Sequence, residues 1–218
     1  MRTFASALAL AVALGLAVPA SAHEAGDWLF RFGGSNVDPK SDNGTLDLSV
    51  LELGGQQIDV DDKWGVTFNV TYMYTANIGI EVLAALPYEH DISVGILGEV
   101  GSVKHLPPTV SLQYHFMPQA TFQPYAGLGV NYTRFFSEDE TGILNDLDAK
   151  LDIDSSSFGL AAQLGFDYMI NDRWFVNVDV RWIDIDTKAT VTVPDVGRLR
   201  ADVEIDPIVY GLHVGYRF

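Results

Sequence analysis

Eight stretches of this chain alternate, residue by residue, between bulky apolar and small or polar side chains. They lie at roughly 27–36, 62–75, 78–88, 105–116, 122–135, 157–169, 174–187 and 203–218. In the second, Trp64, Val66, Phe68, Val70, Tyr72 and Tyr74 are separated by Gly65, Thr67, Asn69, Thr71 and Met73. In the sixth, Phe158, Leu160, Ala162, Leu164, Phe166 and Tyr168 alternate with Gly159, Ala161, Gln163, Gly165 and Asp167. The last sets Ile208, Tyr210, Leu212, Val214, Tyr216 and Phe218 against Val209, Gly211, His213, Gly215 and Arg217. A period of two is the signature of a strand with two unlike faces.

The small face decides where the bulky face points. A strand face open to water is rich in Lys and Glu. Here it carries Gly, Ala, Thr, Asn and Gln, which suit a cramped polar lumen. The bulky face then meets lipid, and segments of about ten residues are long enough to cross a bilayer when tilted. The prediction is an all-β fold: an eight-stranded antiparallel up-and-down transmembrane β-barrel. Aromatic residues at the segment ends predict two interfacial belts. One belt includes Trp28, Tyr72, Tyr114, Phe122, Tyr168, Trp174 and Tyr216, and the other Trp64, Tyr88, Tyr132, Phe158 and Trp182. The connections at 75–77, 117–121 and 170–173 are short, as periplasmic turns are. Those at 37–61, 89–104, 136–156 and 188–202 are long, as external loops are. In the third long loop, Ile143, Leu144, Leu147 and Leu151 have helical spacing and predict a short amphipathic helix.

The first 22 residues read as a cleaved signal peptide, with Arg2, an apolar run from Ala5 to Val18, and Ala20-Ser21-Ala22 before the cut. Residues 23–218 are then one barrel domain in the outer membrane, beginning at His23. No later stretch approaches the 18 or so uninterrupted apolar residues of a spanning helix. The chain has no Cys, and 29 Asp and Glu outnumber 13 Lys and Arg. That charge argues against a nucleic-acid partner. Outer-membrane lipid and lipopolysaccharide are the expected surroundings.

On the predicted lumen face lie Arg31, Glu81, Asp167, Asp179, Arg181 and Arg217. Both signs are present, which fits an ion-pair network that fills the barrel; an ion path is the alternative. The apolar lumen candidates are Met73, Leu83, Phe175 and Ile183, read as packing or as a greasy upper channel. Leu48, Val50, Leu51, Leu53, Ile143, Leu144 and Leu147 could form its mouth. Pro87, Pro107 and Pro108 interrupt two strands expected to be neighbours. Each lacks an N–H and removes a ladder bond, which makes them candidates for a lateral gap in the wall, with ordinary strand termination as the alternative. Ser157, His213 and Asp167 lack any nucleophile motif around the serine, so no enzyme is expected. The pairs Asp59/Asp61, Asp152/Asp154 and Asp184/Asp186 do not follow a calcium-loop pattern, and no metal or cofactor is expected. His90 and His105 flank the second long loop and could meet at the mouth.

The segments AGDWLFRFG (25–33), LPPTVSLQYHF (106–116), FQPYAGLGVNYTRFF (122–136), FGLAAQLGFDYMINDRWFVNVDVRWIDIDTKA (158–189) and VEIDPIVYGLHVGYRF (203–218) resemble the outer-membrane protein W family, including its alkane-uptake branch. The resemblance implies an eight-stranded barrel with a narrow lumen and passive uptake of small hydrophobic solutes, without a cofactor or energy source. It implies lateral release through a gap that involves a proline at the position of Pro87 in LPYEH. Tyr216 and Phe218, in the closing Tyr-Arg-Phe, look like the signal read by the barrel-assembly machinery. Two other functions remain open on the residues alone: a closed-lumen barrel whose loops bind surface partners, and a small ion-conducting pore.

Overall fold

The computed structural model describes residues 23–218, so the leader expected over residues 1–22 lies outside the described residues. Eight strands form the wall. They are β1 (Trp28–Asp38), β2 (Lys63–Met73), β3 (Ile78–Ala85), β4 (Thr109–His115), β5 (Phe122–Glu140), β6 (Ser156–Met169), β7 (Trp174–Ile183) and β8 (Ile208–Arg217). Each pairs antiparallel with its neighbours in the chain. The last strand returns to the first in a register running from Leu29↔Arg217 to Asp38↔Ile208, which closes the barrel and leaves no wall edge.

The alternation fixes the two faces. Along β4, Thr109, Ser111, Gln113 and His115 are buried inside, while Val110, Leu112 and Tyr114 lie exposed outside. Leu128, Phe158, Leu164 and Leu212 are likewise exposed on the outer wall. A continuous apolar exterior of this extent is stable against lipid rather than water. At the end where the three short turns lie, the belt rings pair across strands. Trp28 packs on Tyr72 at 5.0 Å, Phe122 on Phe166 at 4.9 Å and Trp174 on Tyr216 at 4.8 Å. Trp64, Tyr132, Phe158 and Trp182 are exposed towards the other end. Glycines on the inner face make room for large partners. A Cβ on Gly215 would lie 2.1 Å from the Phe175 ring, and one on Gly211 2.3 Å from Asp179 Oδ1.

Two features correct the sequence reading. First, the long connections are largely strands. Tyr88–Val94 pairs with Gly98–Leu106, Asp186–Val193 with Gly197–Glu204, and Thr45–Asp47 with Gly55–Val60. The alternation Thr190-Val191-Thr192-Val193 signals the second of these hairpins; Val191 and Val193 are buried. The predicted amphipathic helix spans only Gly142–Asp146, and Leu151 belongs to the strand Lys150–Ile153 instead. Second, Tyr88 is not in the outer aromatic belt. It is 3% exposed and faces inward, as does His90. The cause is one extra residue in the wall. Pairing of the third and fourth strands stops at Leu83↔Thr109 and resumes at Tyr88↔His105, so residues 84–87 face only 106–108. With a side-chain period of two, a one-residue shift exchanges the faces.

Candidate functional site

The lumen is layered. At the turn end, Leu29, Met73, Met169 and Phe175 form an apolar floor. Met73 and Phe175 therefore close the bottom of the barrel and do not line an upper channel. Leu83 is buried on β3 near Glu81, and Ile183 packs far above the floor, against Val37, Tyr88, Val103 and Phe135.

Over the floor sits an ion layer whose charged groups come from four strands. Arg31 on β1 donates through Nε and Nη2 to Asp167 Oδ1 and Oδ2 on β6, at 3.1 and 2.7 Å. Its Nη1 donates to Thr71 Oγ1 on β2 at 2.7 Å and to Glu81 Oε2 on β3 at 3.2 Å. Arg181 on β7 donates to Glu81 Oε1 at 2.7 Å and to Asp179 Oδ2 at 2.6 Å. The two-pronged Arg31–Asp167 contact combines strength with fixed geometry. The Arg31 guanidinium also lies 5.4 Å from the Tyr125 ring centre and 5.5 Å from that of Phe175. Arg217 stands apart from this network, at the rim, where Nη1 is 3.7 Å from Asp27 Oδ2. Uncharged members complete the layer: Gln113 donates to Glu81 at 2.9 Å, Asn177 to Asp167 at 2.8 Å, and His213 meets Thr67 Oγ1 at 2.8 Å. Inward parity places Gln113, Asn177 and His213 on the lumen face, but nothing in the sequence says which charges they join.

Above the ion layer the wall is interrupted. Leu86 N donates to Val66 O, so residue 86 faces β2, and by alternation the nitrogen of residue 87 faces the fourth strand. Tyr132 N donates to Pro108 O, so residue 108 faces β5 and residue 107 faces back towards the third strand. Pro87 and Pro107 thus remove donors on the two facing edges of one seam. Pro108 lies on the other side, where Asn131 Nδ2 donates to Pro107 O and Pro108 O, each at 3.2 Å, and bridges the break towards β5. On the β2 side of the third strand, Lys63 Nζ donates to Asp91 Oδ2 at 2.6 Å and ties the start of β2 to the strand Tyr88–Val94.

Beside the seam the interior is greasy. A cavity of about 50 Å³ is walled by Val37, Ile92, Val103, Phe135, Ile185 and Val203, among others, with His90 and His105 at the seam side. The rings of His90 and His105 stack at 4.9 Å, and Tyr88 stacks on His105 at 5.6 Å. Burial, together with the neighbouring His90, pushes His105 down to about 3, and burial lowers His90 as well, so both are neutral at pH 7. The outer hairpins roof this chamber with Leu46, Leu48, Ile58, Leu144, Val191 and Val203. Of the expected mouth residues, Leu48 and Leu144 join the roof, whereas Val50, Leu53, Ile143 and Leu147 are exposed. The side chain of Leu51 lies outside the described set.

No catalytic grouping emerges among these residues. Ser157 Oγ accepts from Asp186 N, while His213 turns to Thr67 and Asn177. Two groups of described side chains could hold a metal: His23, His115 and Asp167 inside the barrel, and Asp184, Asp186 and Asp206 near its outer rim. The second group has a cation already, since Lys40 pairs with Asp206 and Glu204.

A closed eight-stranded wall with an apolar exterior, two aromatic belts and a polar packed lumen defines an outer-membrane β-barrel protein. The family model described as "OmpW family" matches residues 24–218. The chain belongs to that family, and its place is the outer membrane. It is 42% identical to outer membrane protein W of Vibrio cholerae, covering 97% of each chain. It is 29% identical to outer membrane protein AlkL of Ectopseudomonas oleovorans, covering 88% of this chain and 83% of that one. The crystal structure of outer membrane protein OprG from Pseudomonas aeruginosa superimposes with a TM-score of 0.82 at 38% identity, covering 91% of this chain and 98% of OprG.

Proposed function

We propose that this barrel admits small hydrophobic molecules through its outer chamber and releases them sideways into the membrane at the seam between Pro87 and Pro107. The observation that carries this reading is the adjacency of the two: His90, Val103 and His105 line the apolar cavity and flank the interrupted ladder. A straight path is blocked. Below the chamber lie two guanidiniums and three carboxylates, each buried and paired, and an apolar solute gives nothing in exchange for breaking those pairs. The seam asks less. Its ladder bonds are already missing, so opening it exposes few new polar groups to lipid. The resemblance to the alkane-uptake branch of the family accords with an apolar solute.

An alkane-sized solute needs more room than about 50 Å³, so the outer hairpins part on entry. Transport needs no energy source on this reading, because partition into lipid drives it. The test measures uptake of a radiolabelled alkane by cells lacking the protein, complemented with the gene or with a Pro87→Ala, Pro107→Ala double variant. Intracellular conversion must be fast enough for entry to limit the signal. Restored uptake with the native gene and a reduced rate with the variant support the reading. Equal rates for both, with equal amounts of folded barrel, would refute lateral release at this seam. No gain from the native gene over the empty strain would refute hydrophobic uptake altogether.

A further inference from the structure

At the lower side of the ion layer, two buried histidines that have no part in the passage just described meet Asp167, a member of that layer. His23 precedes β1, His115 ends β4 and Asp167 lies on β6, and all three are within 1% of complete burial. One ligand atom from each lies within 4.8 Å of the other two. His23 Nε2 is 3.8 Å from Asp167 Oδ2, and the two imidazoles meet edge to face at 5.3 Å. Neither ring nitrogen of His23 has a hydrogen-bond partner, nor has His115 Nδ1. Buried polar atoms are rarely left so, and each one costs free energy.

The surroundings have already chosen which atoms are free. Gln113 donates its amide to Glu81 Oε2 at 2.9 Å, which turns its Oε1 towards His115 Nε2 at 3.2 Å. A carbonyl oxygen only accepts, so His115 carries its proton on Nε2 and presents Nδ1 as a bare lone pair. Metal-bound histidines are ordinarily held in this way, with the second nitrogen donating to a fixed acceptor. Asp167 is arranged alike. Its Oδ1 accepts from Arg31 Nε and Asn177 Nδ2, but its Oδ2 accepts only from Arg31 Nη2. The oxygen with a lone pair to spare is the one that faces His23. Charge points the same way: the carboxylates of the layer, Glu81, Asp167 and Asp179, outnumber its guanidiniums, Arg31 and Arg181, by one.

We propose that His23, His115 and Asp167 form a binding site for one divalent transition-metal ion of the zinc class. Two imidazole nitrogens and a carboxylate oxygen suit such ions better than calcium or magnesium, and three protein ligands leave a fourth position for water. Bonds of about 2.0–2.1 Å put tetrahedral ligands roughly 3.4 Å apart, so the three must draw together. His23 has the freedom to do this. It precedes the first strand, and its described backbone bond is from His23 N to Pro118 O at 2.9 Å. A bound ion ties that leading segment to β4 and β6 across the turn-end mouth.

The test uses untagged full-length protein, isolated from outer membranes in detergent and stripped with a chelator. Zinc is then titrated by calorimetry, and the loaded form is examined by X-ray absorption. The expected result is one saturable equivalent with imidazole scattering in the spectrum. Affinity should fall by about 10- to 100-fold or more in His115→Phe and in His23→Ala. It should not fall in the Asp184→Asn, Asp186→Asn, Asp206→Asn triple variant. The two histidine variants are compared only after the heat-dependent gel shift of a folded barrel is verified; His23 lies outside the wall, so its variant is the safer of the two. Absence of saturable zinc binding, or binding that both histidine variants retain unchanged, overturns the proposal.

Discussion

Replacing Arg31 with Leu tests whether the ion layer holds the barrel together. Arg31 is fully buried and makes four polar contacts, two of them to Asp167. After the substitution Glu81 keeps Arg181 and Gln113, whereas Asp167 keeps Asn177 as a hydrogen-bond donor, with His23 Nε2 farther off at 3.8 Å. The loss is therefore dominated by one carboxylate left in a water-poor interior, for which about 3–5 kcal/mol is expected. Urea unfolding of the barrel refolded into lipid vesicles, followed by tryptophan fluorescence, reads this directly. The companion measurement is the Arg31→Leu, Asp167→Leu double variant. Removing both charges removes the stranded one, so the double variant should be less destabilised than the sum of the single changes by up to about 3 kcal/mol. An Arg31→Leu barrel within 1 kcal/mol of the native one, or strict additivity in the double variant, would refute this account.

Other consequences follow from particular contacts. Gly215→Val drives a side chain into the Phe175 ring, 2.1 Å from the first added atom, and should cost about 1–3 kcal/mol in the same unfolding assay. His105 is lowered on folding to about 3, so its contribution is complete above pH 6.5 and is lost as the pH falls towards 3. At pH 5 that loss is about 2 kcal/mol, and hydrogen exchange in the strands Tyr88–Val94 and Gly98–Leu106 should quicken in the native protein but not in His90→Phe, His105→Phe. Gly65→Val collides with the Tyr88 ring at 2.3 Å and should displace it from the seam, seen as greater accessibility of Tyr88 to a water-soluble nitrating reagent. Phe218→Ala should lower the amount of barrel reaching the outer membrane; equal amounts would argue against a role in assembly.

How much of this was legible in the sequence depended on whether a local rule governed it. Wall strands obey the two-residue period, so Phe158 through Tyr168 can be assigned faces by counting. Counting fails past Pro87, because a shift in phase is set by the partner strand and not by the residues themselves. Tyr88 is therefore misplaced even though Pro87 marks the trouble. The hairpin at 186–204 carries a readable alternation in Thr190-Val191-Thr192-Val193, but its Asp, Lys and Arg residues make it look like a solvated loop. In the lumen, parity assigns Arg31 and Asp167 to one face and says nothing of their pairing, since the two residues are 136 positions apart. Arg217 obeys the same parity and still lies at the rim, because a strand end has no neighbour beyond it to enclose the side chain. His23 gave no signal at all: it sits outside any periodic segment, and its importance depends wholly on what folding brings to it.

The unequal count across the seam gives the third strand two reading frames. Below it, a one-residue insertion or deletion in β1 or β6 would turn Arg31 or Asp167 towards lipid and disrupt the ion layer. Above it, the frame is set afresh by the pairing of Tyr88 with His105. Variation in the outer hairpins, including changes in their length, is thereby insulated from the charged plug. One half of the molecule is free to diversify its chamber while the other keeps its register.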